Sequence, residues 1–197
     1  MPTQPKTFLT PEQYLEIERK AEHKSEYYQG EMFAMAGATF AHNLVVGNTV
    51  RELGQQLLDS PCVVVSNDLR VRVASSDLYT YPDVVVVCGP PDLQDGHFDT
   101  LLNPAVLVEV LSPSTEAYDR GRKFERYQSI ESLREYVLIA LDRVHADLFT
   151  RQADGRWLLS SARSLEDSLT LESLNCHLSL AAIYRKVEFT PPARVSE

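Results

Sequence analysis

Three valine-rich runs in the middle of the chain, CVVVSNDLRVRVA, YPDVVVVCG and NPAVLVEVLSP, limit its fold more than any other feature. All are rich in β-branched residues and bounded by Pro, Gly, Asn or Asp, so they read as three or four strands. At least two lack polar alternation and belong in a sheet covered on both faces. Such a sheet needs helices against it, and the flanking sequence supplies them. Thr10, Pro11 and Gln13 have the spacing of a capping box with proline at the first helical position, which predicts a short helix over 11–19. EYYQGEMFAMAG alternates around Gly30 and predicts a hairpin ahead of a turn at Gly37. Val46, Val50, Leu53 and Leu57 recur at spacings of four, three and four, which puts them on one face of a longer helix over 41–59.

Beyond Pro113 the pattern turns helical over 116–130, and EYVLIALD follows as another apolar strand. VHADLFTRQADGRWLLSSA, turning at Asp154-Gly155, predicts an exposed hairpin, and LTLESLNCHLSLAAIYRKV ends in a small helix. The expected fold is α/β: a mixed sheet flanked by helices, with an N-terminal and a C-terminal hairpin. A chain of 197 residues suits one core, so a single domain over 1–190 is expected, with a frayed tail over 191–197.

A net charge of -9 weighs against a protein that neutralises phosphates with its whole surface. Basic residues gathered in one cleft, or a bound divalent cation, would change that locally. The N-terminus lacks the basic start and apolar run of a signal peptide, and no stretch reaches the ~20 apolar residues of a membrane helix, so a cytoplasmic protein without membrane association is expected. Cys62, Cys88 and Cys176 are odd in number, far apart and without a CxxC pair. They read as small core residues rather than as a disulfide framework or a zinc site.

Glu109 is the only charge in AVLVEVL. A carboxylate in such a strand costs several kcal/mol unless it is protonated, paired or bound to a cation, or unless its face opens to solvent. Asp83, after Tyr81-Pro82, opens DVVVVC and puts a second carboxylate at the mouth of a buried strand, where ordinary turn chemistry would also place it. Neighbouring strands lie ~4.8 Å apart, so carboxylates on them can share one hard cation, although periodicity does not show these two strands to be neighbours. Asp119, Lys123 and Tyr127 share a helical face, and Arg120, Arg122 and Arg126 make this the densest basic segment of an acidic chain, a solvated surface or something more.

Pro82-Asp83, Glu109-Val110 and a downstream lysine resemble the PD-(D/E)XK nuclease superfamily. SEYYQGEMFAMAG, His42, YPDVVVV, PAVLVEVLSPST, the Asp119, Lys123, Tyr127 spacing and EYVLIALD together resemble the Uma-two family of bacterial restriction-like endonucleases, from about Phe8 to Tyr184. The resemblance implies a restriction-endonuclease-like fold and a site where Asp83, Glu109 and the Val110 carbonyl hold Mg²⁺, with Mn²⁺ as substitute. It also implies that Lys123 is catalytic, because Leu111 stands where the superfamily usually carries its lysine. Glu26 and His42 match further family positions, and Arg120, Arg122 and Arg126 are the candidates for contact with nucleic acid. The implied activity is metal-dependent hydrolysis of phosphodiester bonds, in DNA first of all, by a protein that could act as a homodimer. The alternative is a non-catalytic binding or assembly module that keeps the nuclease fold, which the acidity would suit. A hydrolase built on Cys176 and His177 is disfavoured, because adjacent strand residues point to opposite faces.

Overall fold

The computed structural model describes residues 8–189. The tail expected over 191–197 lies outside them. In chain order the elements are α1 (Pro11–Glu18), β1 (Ser25–Tyr28), β2 (Glu31–Ala34), α2 (Phe40–Gln56), β3 (Cys62–Ser66), β4 (Arg70–Val73), β5 (Leu78–Thr80), β6 (Val84–Cys88), β7 (Thr100–Leu101) and β8 (Val106–Leu111). Then come α3 (Glu116–Tyr118), a π-helical turn (Asp119–Lys123), α4 (Phe124–Tyr127), β9 (Glu135–Ala140), β10 (Ala146–Arg151), β11 (Trp157–Ala162), β12 (Ser168–Leu171), β13 (Cys176–Ser179) and α5 (Leu180–Ile183). The capping box of α1 forms as its sequence predicts, with Thr10 and Gln13 bonding each other's backbone.

The central sheet runs β11-β10-β9-β8-β6-β3, with β8 and β9 parallel and the other neighbours antiparallel. The valine runs show no polar alternation because both faces of this sheet are covered. Even-numbered residues such as Val84, Val86, Val106, Val108 and Val110 pack with α2, the β12-β13 pair and α5. Odd-numbered Val85, Val87, Leu107 and Leu111 pack on the other face with β4, β5, β7 and the side chains of Phe124 and Tyr127. Strand alternation therefore sends Asp83 and Glu109 to this second face.

A separate five-stranded sheet, β2-β1-β5-β4-β7, holds the N-terminal hairpin, and Tyr14, Tyr27 and Tyr79 pack together where α1 meets it. Some expectations need correction. The helix expected over 116–130 is three short pieces, because the chain widens into a π turn at Asp119–Lys123 before resuming α geometry. Cys62 and Cys88 are not independent core residues: they face each other across β3 and β6 and form a disulfide, which leaves Cys176 as the free, buried thiol. The hairpin over 144–162 is exposed only at β11, since β10 lies inside the central sheet between β9 and β11. On β13, Cys176 is buried and His177 exposed, on opposite faces as expected.

Candidate functional site

Val84 pairs with Val108 across β6 and β8, and one step further along that register brings Asp83 opposite Glu109. The Val110 N–H fixes the arrangement by donating to Asp83 Oδ2 at 2.8 Å, and the Asn67 N–H donates to the Asp83 carbonyl at 3.2 Å. The two carboxylates that the sequence could not show to be neighbours are thus on adjacent strands. Glu109 is 5% exposed, yet it does not face hydrocarbon. Lys123 Nζ stands 2.8 Å from its Oε1, and the Tyr127 hydroxyl donates to the same oxygen at 2.9 Å.

Lys123 is buried as deeply, and it also meets Glu26 at 3.3 Å and Asp119 at 3.4 Å. Glu26 comes from β1, where the Thr80 hydroxyl donates to it from the neighbouring strand. Three carboxylates therefore surround one ammonium. Burial opposes the charge on Lys123, but Glu109, Glu26 and Asp119 outweigh it and hold its pKa well above the ordinary lysine value. Burial pushes the Glu109 carboxyl well above the usual range; Lys123 pulls it back, and Asp119 and Asp83 push it further up. Asp119 is raised for the same first reason, burial. The two directions are compatible, because crowded negative charge favours the charged lysine and disfavours a further charged carboxylate.

His42 lies in the first turn of α2, where the Thr39 side chain accepts its backbone N–H at 3.2 Å. Its Nε2 lies 3.2 Å from Asp83 Oδ2. Burial lowers its pKa, but the Asp83 carboxylate and the Val110 carbonyl more than offset that and raise it overall. Its Nδ1 is buried with no hydrogen-bond partner. The His42 ring thus stands against two of the oxygens that the sequence nominated for a metal.

Asp83, Glu109 and the Val110 carbonyl are hard oxygen donors of the type that suits Mg²⁺ or Mn²⁺. Among the described residues no three His, Cys, Asp or Glu side chains are gathered to hold a metal ion, so the main-chain carbonyl would have to supply the third ligand. The donors fit such an ion in kind. In the present arrangement His42 and Lys123 lie against them.

The three arginines part company. Arg120 is tied to Glu116 at 2.8 Å and Asp147 at 2.6 Å. Arg126 donates to the Tyr118 hydroxyl at 2.8 Å and stacks 3.6 Å above the Tyr28 ring. Arg122 is exposed and, among the described residues, has no ion pair. Sequence reasoning missed Thr80, Tyr28, Tyr118 and Asp147. The one signal for any of them was a threonine in LYT, a strand whose three residues are all buried.

Comparison with known proteins identifies the relatives of this chain. A family model, Uma2, described as "Putative restriction endonuclease", matches residues 11–182. Two proteins of Synechocystis sp. (strain ATCC 27184 / PCC 6803 / Kazusa) are similar: "Uncharacterized protein slr1290", 36% identical over 188 residues and covering 95% of this chain and 97% of its own, and "Uncharacterized protein sll1609", 36% identical over 152 residues and covering 77% and 86%. The crystal structure of "a putative nuclease belonging to DUF820" from Anabaena variabilis ATCC 29413 superposes with a TM-score of 0.72 at 17% identity, over 89% of this chain and 97% of that one. At that identity the likeness is one of fold.

Proposed function

Because the chain belongs to the Uma2 family, we propose that it is a metal-dependent endonuclease that hydrolyses phosphodiester bonds in DNA. The observation that carries this reading is the group of half-buried Asp83 with buried Glu109 and Lys123, with Lys123 Nζ 2.8 Å from Glu109 and the Val110 N–H 2.8 Å from Asp83. Asp83, Glu109 and the Val110 carbonyl would hold Mg²⁺, for which Mn²⁺ can substitute. When bound, the ion would supply Lewis acidity toward a phosphate oxygen and a more acidic water.

The chain's own residues prepare that chemistry. Tyr127 fixes the Glu109 carboxylate, since both its bond and that of Lys123 fall on Oε1. Lys123, kept charged by its carboxylates, is placed to orient the attacking water or to offset charge that develops on the phosphate. Glu26 and Asp119 hold its ammonium in place. His42, which now stands against Asp83 and the Val110 carbonyl, would have to leave those oxygens for a cation to be held there.

A second reading, a binding or assembly module without catalysis, draws on the same contacts: His42 and Lys123 already satisfy the carboxylates without a metal. One experiment separates the two. Lys123→Met keeps the buried stem and removes the charge. It is expected to reduce Mg²⁺-dependent cleavage of plasmid DNA by about 10²-fold or more. Mn²⁺ affinity measured by calorimetry should hold or rise, because Glu109 is released from its ammonium. Wild-type protein that takes up neither Mg²⁺ nor Mn²⁺ sinks the nuclease reading, and unchanged cleavage by Lys123→Met removes the lysine from it.

A further inference from the structure

A pocket of about 400 Å³ lies beside the site, between the helical segment and the turn that follows β4. Tyr28, Ser75, Ser76, Arg122, Arg126 and Ser129 line it, with Glu125 at its wall. We propose that this pocket is a second phosphate-binding subsite, which holds a phosphate of the substrate strand near the one being cut. The proposal rests on the nuclease reading and names a contact that reading lacks.

Four observations support it. Arg122 and Arg126 line one pocket and, among the described residues, have no carboxylate at ion-pair distance, in a chain of net charge -9. The Arg126 guanidinium is set in advance, 3.6 Å over the Tyr28 ring with Nη1 on the Tyr118 hydroxyl, so Nε and Nη2 keep their donors for a ligand. Planar donors held this way match the paired oxygens of a phosphate.

The hydroxyls are the third observation. Ser75 and Ser129 meet at 2.5 Å and close one side of the pocket, while Ser76 Oγ is shut off from solvent with no hydrogen-bond partner. A hydroxyl left in that state is destabilising, and an oxyanion acceptor would satisfy it. The fourth is continuity. Tyr28 lies two residues beyond Glu26 on β1, and Arg122 and Arg126 flank Lys123, so the pocket shares a strand with Glu26 and a helical segment with Asp119 and Lys123. Glu125 is the one opposing charge, and it is exposed. The ligand chemistry is that of a phosphodiester or a 5′-terminal phosphate.

The test is binding of fluorescein-labelled oligonucleotides, with and without a 5′-phosphate, followed by anisotropy over a range of salt concentrations in EDTA. Arg122→Ala and Arg126→Ala are compared with Arg163→Ala, an exposed arginine on the loop after β11. Arg122 is exposed, so its removal leaves the fold alone. Arg122→Ala and Arg126→Ala are each expected to weaken binding about tenfold for any base sequence. Each should also reduce the slope of log K against log salt by about 0.7 to 0.9, as for the loss of one phosphate contact. Arg163→Ala should match wild type. A wild-type preference for the 5′-phosphate that vanishes in both variants assigns the terminal group, and equal losses on both probes assign an internal phosphodiester. If wild type binds the oligonucleotides and both variants bind them as tightly with the same slope, the subsite is overturned and the nuclease reading stands. If binding runs through the two arginines but no strand is cut in Mg²⁺, the subsite stands and the nuclease reading falls. If wild type binds no nucleic acid, both fall together.

Discussion

Lys123 is one ammonium among Glu109, Glu26 and Asp119, with Asp83 close behind, and that ratio sets the response of the site to pH. Burial raises the Glu109 pKa, so the folded protein binds that proton more tightly than the unfolded chain does. The associated stability is fully present below the unfolded value of 4.5 and is lost as pH rises through the higher folded one. Glu109→Gln keeps the neutral form at every pH. Its melting temperature in EDTA should match wild type near pH 4 and exceed it by several degrees near pH 8, given ~2–4 °C per kcal/mol for a chain of this size. A variant less stable than wild type near pH 8 would show that Lys123 needs an ionised Glu109. Glu109 stood out in the sequence as a charge in an apolar strand, whereas Asp83 and Lys123 drew their weight from the family pattern they resemble. Which arginine meets which carboxylate was not legible, since Arg120 finds Asp147 on β10, a partner that no spacing within the helix could nominate.

The π turn at Asp119–Lys123 is the element that brings Asp119 and Lys123 together inside the fold while Arg122 stays outside. Such turns insert a residue into a helix and occur often at functional sites. Their mark in sequence is weak: Asp119, Lys123 and Tyr127 keep the spacing of four that an unbroken helix would show, so periodicity predicted one. Gly121 sits mid-turn, where an added Cβ would meet nothing within 4 Å. Helical glycine costs roughly 0.5–1 kcal/mol relative to alanine. Gly121→Ala should therefore raise the melting temperature by about 1–4 °C, converted at the same rate. A fall instead would mean that the wide turn needs backbone freedom which alanine lacks.

At the scale of the molecule, the strands and helices were each legible, and their assembly was less so. The valine runs announced a sheet covered on both faces, but pairing is decided between residues far apart in the chain. The separate five-stranded sheet went unforeseen for that reason, as did the bridge between Cys62 and Cys88, which lie 26 residues apart. Cys62→Ser should lower stability by about 2–4 kcal/mol in denaturant melts. Thiol titration of the oxidised protein should find a single group, Cys176, that reacts only after unfolding; three reactive thiols would remove the bridge. The strand order has a further consequence for the chain as it is made. β9 lies between β8 and β10, so until residues 135–140 leave the ribosome β8 is the open edge of a three-strand sheet. During that interval VLVEVL is an unpaired apolar template for other nascent chains, and its single charge, Glu109, is the gatekeeper against such pairing before it has any part in a finished site.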